Sequence, residues 1–215
     1  VLNEAAWGLG NSLLTVILGY TDNSVEMLAA NAVMGNLNRL LLVVCFGLGA
    51  ATAVLVGKAI GEGQKHQDVL ELSQVLLRFS TLIGAGIAVL SLLLIPTLFV
   101  PVLFPMFKLY GESIAIATAL AVTAFAGIPL HAYAISAVTG VLRAGGDVTY
   151  ATVLDLLPQW VICLPVTALC ALVLKSGYWS IAIAIQLECI VKVPFCIRRV
   201  HGGTWIHDVT RGQRT

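Results

Sequence analysis

The chain has 215 residues, of which 59% are hydrophobic and 11% charged, with a formal net charge of +1. A soluble domain of this length carries roughly twice that charged fraction, and the mean hydropathy of +0.95 likewise excludes one. No basic patch interleaved with aromatics is present, which argues against nucleic acid as a partner.

Val1 already belongs to an apolar stretch. No basic n-region or small-residue cleavage site precedes it, so the segment is not a signal peptide, and the chain reads as starting partway through a protein. Six apolar segments follow, with bounds at about 1–20, 27–60, 67–99, 112–143, 148–174 and 178–200. This predicts an all-α polytopic membrane protein, a bundle of six transmembrane helices, followed by a polar cytoplasmic tail over 201–215.

The first segment ends at the turn-rich Thr21-Asp22-Asn23-Ser24. Within it, Asn3, Trp7 and Asn11 (or Ser12) recur at i, i+4 and i+8, a polar and aromatic face beside Glu4. A carboxylate at membrane depth can hold a cation or a proton, and an aromatic can stack on an organic cation. An interfacial Glu4 is the alternative.

The second segment is uncharged from Leu40 to Gly57, 18 residues, or about 27 Å of helix, close to the hydrocarbon thickness of a bilayer. Asn31, Asn38, Cys45 and Thr52 recur every seven residues, a polar seam expected to line something wet. Arg39 lies 19 residues before Lys58, near the opposite interface, where it can snorkel. Asn38 is the better lining candidate.

The third segment begins polar (Asp68, Glu71, Arg78), and Pro96, Pro101 and Pro105 are expected to break it. The fourth has no charge between Ser113 and Leu142, and Gly127-Ile128-Pro129 predicts a kink. His131 there is expected to be a hydrogen-bonded packing histidine. Ala144-Gly145-Gly146-Asp147 makes a tight connection. In the fifth, Asp155 and Gln159 share a face near Pro158, either as a functional polar pocket or as hydrogen bonds across helices. In the sixth, Glu188 and Lys192 are four apart, acid first, which favours a self-neutralising pair.

The cysteines (45, 163, 170, 189 and 196) all lie in apolar segments and read as small packing residues. Metal ligation would want closer spacing and histidine partners. No H-E-x-x-H, G-x-S-x-G or phosphate-cradling G-x-x-x-x-G-K-[ST] occurs, so neither an enzyme nor a cofactor is expected. An even number of spans puts both ends on one side. That side would hold Lys58, Lys65, Arg143, Arg198, Arg199, Arg211 and Arg214, against Lys108 and Lys175 opposite. The asymmetry predicts a cell-membrane protein with both termini cytoplasmic.

Three stretches in order resemble one family. LNEAAWGLGNSLLTVILGY is similar to the seventh helix of multidrug and toxic compound extrusion (MATE) transporters. AAN followed by Gly47-Leu48-Gly49-Ala50-Ala51-Thr52-Ala53 and Val56-Gly57-Lys58-Ala59-Ile60-Gly61-Glu62-Gly63 resembles the eighth and its exit. Gly140-Val141-Leu142-Arg143-Ala144-Gly145-Gly146-Asp147 looks like the G-x-L-R-x-x-G-D joining the tenth and eleventh, and Leu164-Pro165 fits as well. The resemblance implies the carboxy-terminal six-helix lobe of a twelve-helix antiporter. That antiporter would export amphipathic, often cationic compounds in exchange for Na+ or H+. The implied partners are the lipid bilayer, the amino-terminal six-helix lobe and small organic substrates. The resemblance places Glu4 at the family's substrate- or ion-binding glutamate, with Asn3, Trp7 and Asn38 lining the cavity and Asp155 and Gln159 nearer its cytoplasmic side. It also marks a departure: where some members carry an acidic residue 11 positions before the motif arginine, this chain has Ala132. Two other readings remain open. A lipid-linked oligosaccharide flippase would want several basic cavity residues, and only Arg39 is on offer. A non-transporting half-transporter subunit or remnant is the second.

Overall fold

The computed structural model describes residues 2–206, and the regular structure among them is entirely helical. There are six rods: α1 (Leu2–Leu18), α2 (Ser24–Gly61), α3 (His66–Met106), α4 (Glu112–Leu142), α5 (Val148–Val173) and α6 (Tyr178–His201). The last five are each long and apolar enough to cross a membrane. The 17 residues of α1 span about 25 Å.

The most buried rod is α4, which packs against α2, α3 and α6. Small residues make that possible, because between helices in lipid the main attraction is close van der Waals contact. At the α2–α4 crossing Gly140 lies so close that a Cβ there would sit 2.7 Å from Thr52 Cβ and 2.9 Å from the Gly49 carbonyl oxygen. This corrects the expected wet seam of α2. Cys45 (0% exposed) and Thr52 (2%) are packed inside the lobe, and Thr52 lies against α4. Only Asn31 and Asn38 remain half-buried. Cys163, Cys189 and Cys196 are also buried, as packing residues.

The prolines of α3 do not end it. Ile95–Leu103 is wound in wider π-type turns, and the rod continues to Met106. A proline lacks the N–H that a helical turn would use and crowds the preceding carbonyl. The wider turn relieves that crowding, and in lipid a helix that keeps its remaining backbone bonds is favoured over a broken one. In α4, Pro129 sits inside regular α-helix (Glu112–Ile135), and π-type turns follow only over Ser136–Leu142. In α5 a π-type stretch begins at Pro158 (Pro158–Cys163), Pro165 lies in the α-helical Leu164–Ala168, and a second π-type stretch covers Leu169–Val173.

Short connections cluster at two ends. At one, Lys175 meets Asp22 (3.0 Å) and Asn23 donates to Glu112 (2.6 Å). At the other, the α2–α3 and α4–α5 turns meet the chain after α6. There the expected polar tail is only partly polar. Trp205 is 0% exposed, packs on Gly145 and donates its indole N–H to the Val200 carbonyl (3.1 Å). Gly203 (φ +67°) packs against His66. A buried indole is a large apolar payload with one polar group to satisfy, and it closes this basic end of the lobe. The rest of the expected tail, 207–215, lies outside the described residues.

Candidate functional site

The site is built where α1 lies along α5. Asn3 and Trp7 are one helical turn apart, as are Asp155 and Gln159. The Asn3 amide donates to Asp155 Oδ2 (3.4 Å), and Gln159 Nε2 donates to the Trp7 carbonyl (3.3 Å). Both rungs keep the same order, so the two helices run parallel here. Gly10 is buried on the same side of α1, and a Cβ there would come within 2.5 Å of Gln159 Nε2. Gln159 itself, 3% exposed, falls in the first π-type stretch of α5. Wide turns of this kind recur at functional sites.

The same Asn3 nitrogen also donates to Glu4 Oε1 (3.3 Å). One amide therefore ties Glu4, which is exposed, to Asp155, which is half-buried. These groups are level with a point about 10 Å along α5 from Val148. Trp7 is 40% exposed on the surface of α1. Asn11, Ser12 and Thr15 bond back to carbonyls of their own helix at 3.0, 3.0 and 3.1 Å.

Asp155 is the hub of a charge network. Its Oδ2 also accepts from Arg143 (2.6 Å), and its Oδ1 from Lys192 (3.3 Å). Lys192 in turn meets Glu188 at 2.9 Å. The side chains are 30% (Arg143), 22% (Asp155), 10% (Lys192) and 19% (Glu188) exposed. Two cations thus face two anions, and this quartet is neutral. Below it, Asp147 takes Arg199 at 2.7 Å, and the Arg199 guanidinium lies 4.6 Å above the Tyr150 ring. The G-x-L-R-x-x-G-D stretch therefore bonds to two helices, Arg143 to α5 and Asp147 to α6.

Five of the six sequence-predicted residues are joined by these bonds: Asn3, Glu4, Asp155 and Gln159 by their side chains, and Trp7 by its backbone. Asn38 shares none of them. Its Oδ1 is buried with no hydrogen-bond partner among the described residues, as are Asn3 Oδ1 and Gln159 Oε1. Buried amide oxygens without donors are acceptors for an arriving cation or N–H or O–H donor. Glu188 and Lys192 form the expected pair, and His131 the expected packing bond, to Gln186 (3.3 Å). The sequence reading missed that Arg143 and Lys192 both converge on Asp155. Opposite charges flanking the tight 144–147 turn were the available signal. Ala132, in place of the acidic residue some relatives carry, is completely buried.

The MatE family profile matches residues 5–169. Among solved structures, an outward-facing multidrug resistance MATE family transporter of the MOP superfamily matches with a TM-score of 0.81 and 21% identity, over 99% of this chain and 46% of its own. A MOP superfamily transporter from Pyrococcus furiosus, described by the reverse polarity of its binding pocket, matches with a TM-score of 0.80 and 21% identity over 99% and 45%. MATE transporter ClbM, solved in complex with Rb+, matches with a TM-score of 0.78 and 18% identity over 95% and 46%. The chain spans a little under half the length of these structures, and no curated protein sequence matches it. The fold is that of half a MATE transporter, and the chain belongs to the MatE family.

Proposed function

We propose that this chain is the carboxy-terminal lobe of a Na+- or H+-coupled antiporter that exports amphipathic, often cationic compounds by alternating access. Pairing with an amino-terminal six-helix lobe completes the transporter. The basic end, with both termini, faces the cytoplasm, in keeping with its excess of Lys and Arg. The observation that carries the reading is the Glu4–Asn3–Asp155 chain. A carboxylate at membrane depth is costly without a function or partner. Here Asp155 is neutralised by Arg143 and Lys192, whereas Glu4 is exposed and, among the described residues, meets one neutral amide. Glu4 is the charge left to bind and release the coupling ion or a cationic substrate. Trp7 offers an aromatic face beside it, and Asn38 a further lining group from α2.

The test is efflux of a fluorescent organic cation from cells making the complete two-lobed transporter, with and without Glu4→Gln, under Na+ and pH jumps. Loss of efflux at normal membrane abundance supports the role of Glu4, and the jumps name the ion. Unchanged efflux makes Glu4 structural and moves coupling to the other lobe. No efflux from the unaltered transporter favours the flippase or non-transporting subunit.

A further inference from the structure

Lys192 lies nine residues before the end of α6, about 14 Å inside the lobe. Its ammonium sits between two carboxylates from two helices, Glu188 Oε1 at 2.9 Å and Asp155 Oδ1 at 3.3 Å. Carboxylate oxygens converging from separate helices on one small monovalent cation is also how an alkali ion is held, since hard cations take oxygen ligands. The difference is that this cation is covalently attached. A buried charge is tolerated when its partners are complete, and Lys192, 8% exposed, meets that condition. Arg143 occupies the other oxygen of Asp155. A diffusible cation therefore finds no unpaired carboxylate in the quartet, while Glu4 stands next to it, exposed.

We propose that Lys192 is a tethered counter-cation that fills the Asp155–Glu188 pair, bars a diffusible alkali ion from it, and so confines ion binding in this lobe to Glu4. The last clause rests on the reading of Glu4 given above, and the test keeps the two apart. The complete transporter is purified and its thermal unfolding followed in Na+, K+ or Rb+ against choline at constant ionic strength, with bound Na+ counted by equilibrium dialysis. In the Glu4→Gln background, Lys192→Met is expected to gain one bound ion. Its Tm should rise with the logarithm of alkali-ion concentration, and adding Asp155→Asn should abolish both effects. Lys192→Arg, which keeps the tethered charge, should gain no ion. Absence of any alkali-specific shift in Lys192→Met overturns the proposal. So does a shift that survives both Asp155→Asn and Glu188→Gln, since the ion would then bind elsewhere than between these two carboxylates. If Lys192→Met does not survive purification in choline, Na+ or Rb+ is expected to rescue it, and failure of that rescue also overturns the proposal. A Glu4→Gln protein that keeps the wild-type cation response counts against the Glu4 reading alone, and the extra ion gained on removing Lys192 is still counted on top of it.

Discussion

Arg143 and Asp155 are 12 residues apart in sequence and 2.6 Å apart in space. The tight turn over Ala144–Asp147 folds α5 back along α4, so a cation at the end of one rod meets an anion one third of the way into the next. Asp155 also holds Lys192, and its removal leaves the half-buried Arg143 without its carboxylate and the buried Lys192 with Glu188 alone. Breaking a buried ion pair on one side costs about 3–5 kcal/mol, and the partial exposure of this one puts it at the lower end. Asp155→Ala is therefore expected to lower the Tm of the detergent-purified protein more than Asp155→Asn, which keeps an acceptor oxygen for one of the two cations. Equal losses would mean that the charge of Asp155, not its hydrogen bonds, holds the quartet together.

The contact of Gly10 with Gln159 gives a steric test of how α1 is held. Gln159 is tightly packed, so an added methyl at position 10 must displace its amide and break the bond to the Trp7 carbonyl. Overpacking of this kind costs about 1–3 kcal/mol. Gly10→Ala should lower thermal stability, and Gly10→Ala with Gln159→Ala should recover part of the loss, a favourable coupling in a double-mutant cycle. Strict additivity would show that α1 does not rely on this contact.

Trp205 makes a prediction at the basic end. It fills the space over Gly145 and hydrogen-bonds Val200. Truncating a buried tryptophan costs about 3–5 kcal/mol. Trp205→Ala should thus destabilise the lobe by several degrees in Tm, and Gly145→Val, whose side chain collides with the indole, should do so without removing the indole. Proteolysis after α6 should speed up in both.

The helices were legible because charge-free runs long enough to cross a bilayer admit few other structures. The six rods fall close to their expected bounds, and α3 runs past its prolines because π-type turns accommodate them. Periodicity along one helix also found the rungs at 3 and 7 and at 155 and 159. It could not say which neighbour each face would meet. The seam of α2 looked wet because Cys45 and Thr52 can line water, but they are equally small enough to let α4 approach. Lys192 looked self-sufficient with Glu188, and only the packing of α5 against α6 brought Asp155 into the same network. Trp205, in a stretch whose composition is polar, was hidden for the same reason: its burial depends on Gly145, 60 residues earlier.

The orientation of the lobe decides from which side the Asp155 network is reached, and two exposed lysines can report it. Lys65 precedes α3 at the basic end and makes no side-chain cap bond, so Lys65→Cys removes no cap from the helix start. Lys175 is at the other end, where its exposed pair with Asp22 is worth less than about 1 kcal/mol, so Lys175→Cys should also fold. The native cysteines give little background, since Cys45, Cys163, Cys189 and Cys196 are buried and Cys170 is half-buried. A membrane-impermeant maleimide is expected to label Lys175→Cys in intact cells and Lys65→Cys only in inverted vesicles. The reverse pattern would place the basic end outside, against the usual distribution of Lys and Arg. It would then make the Asp155 network, behind the Asp147–Arg199 pair, one reached from the exterior.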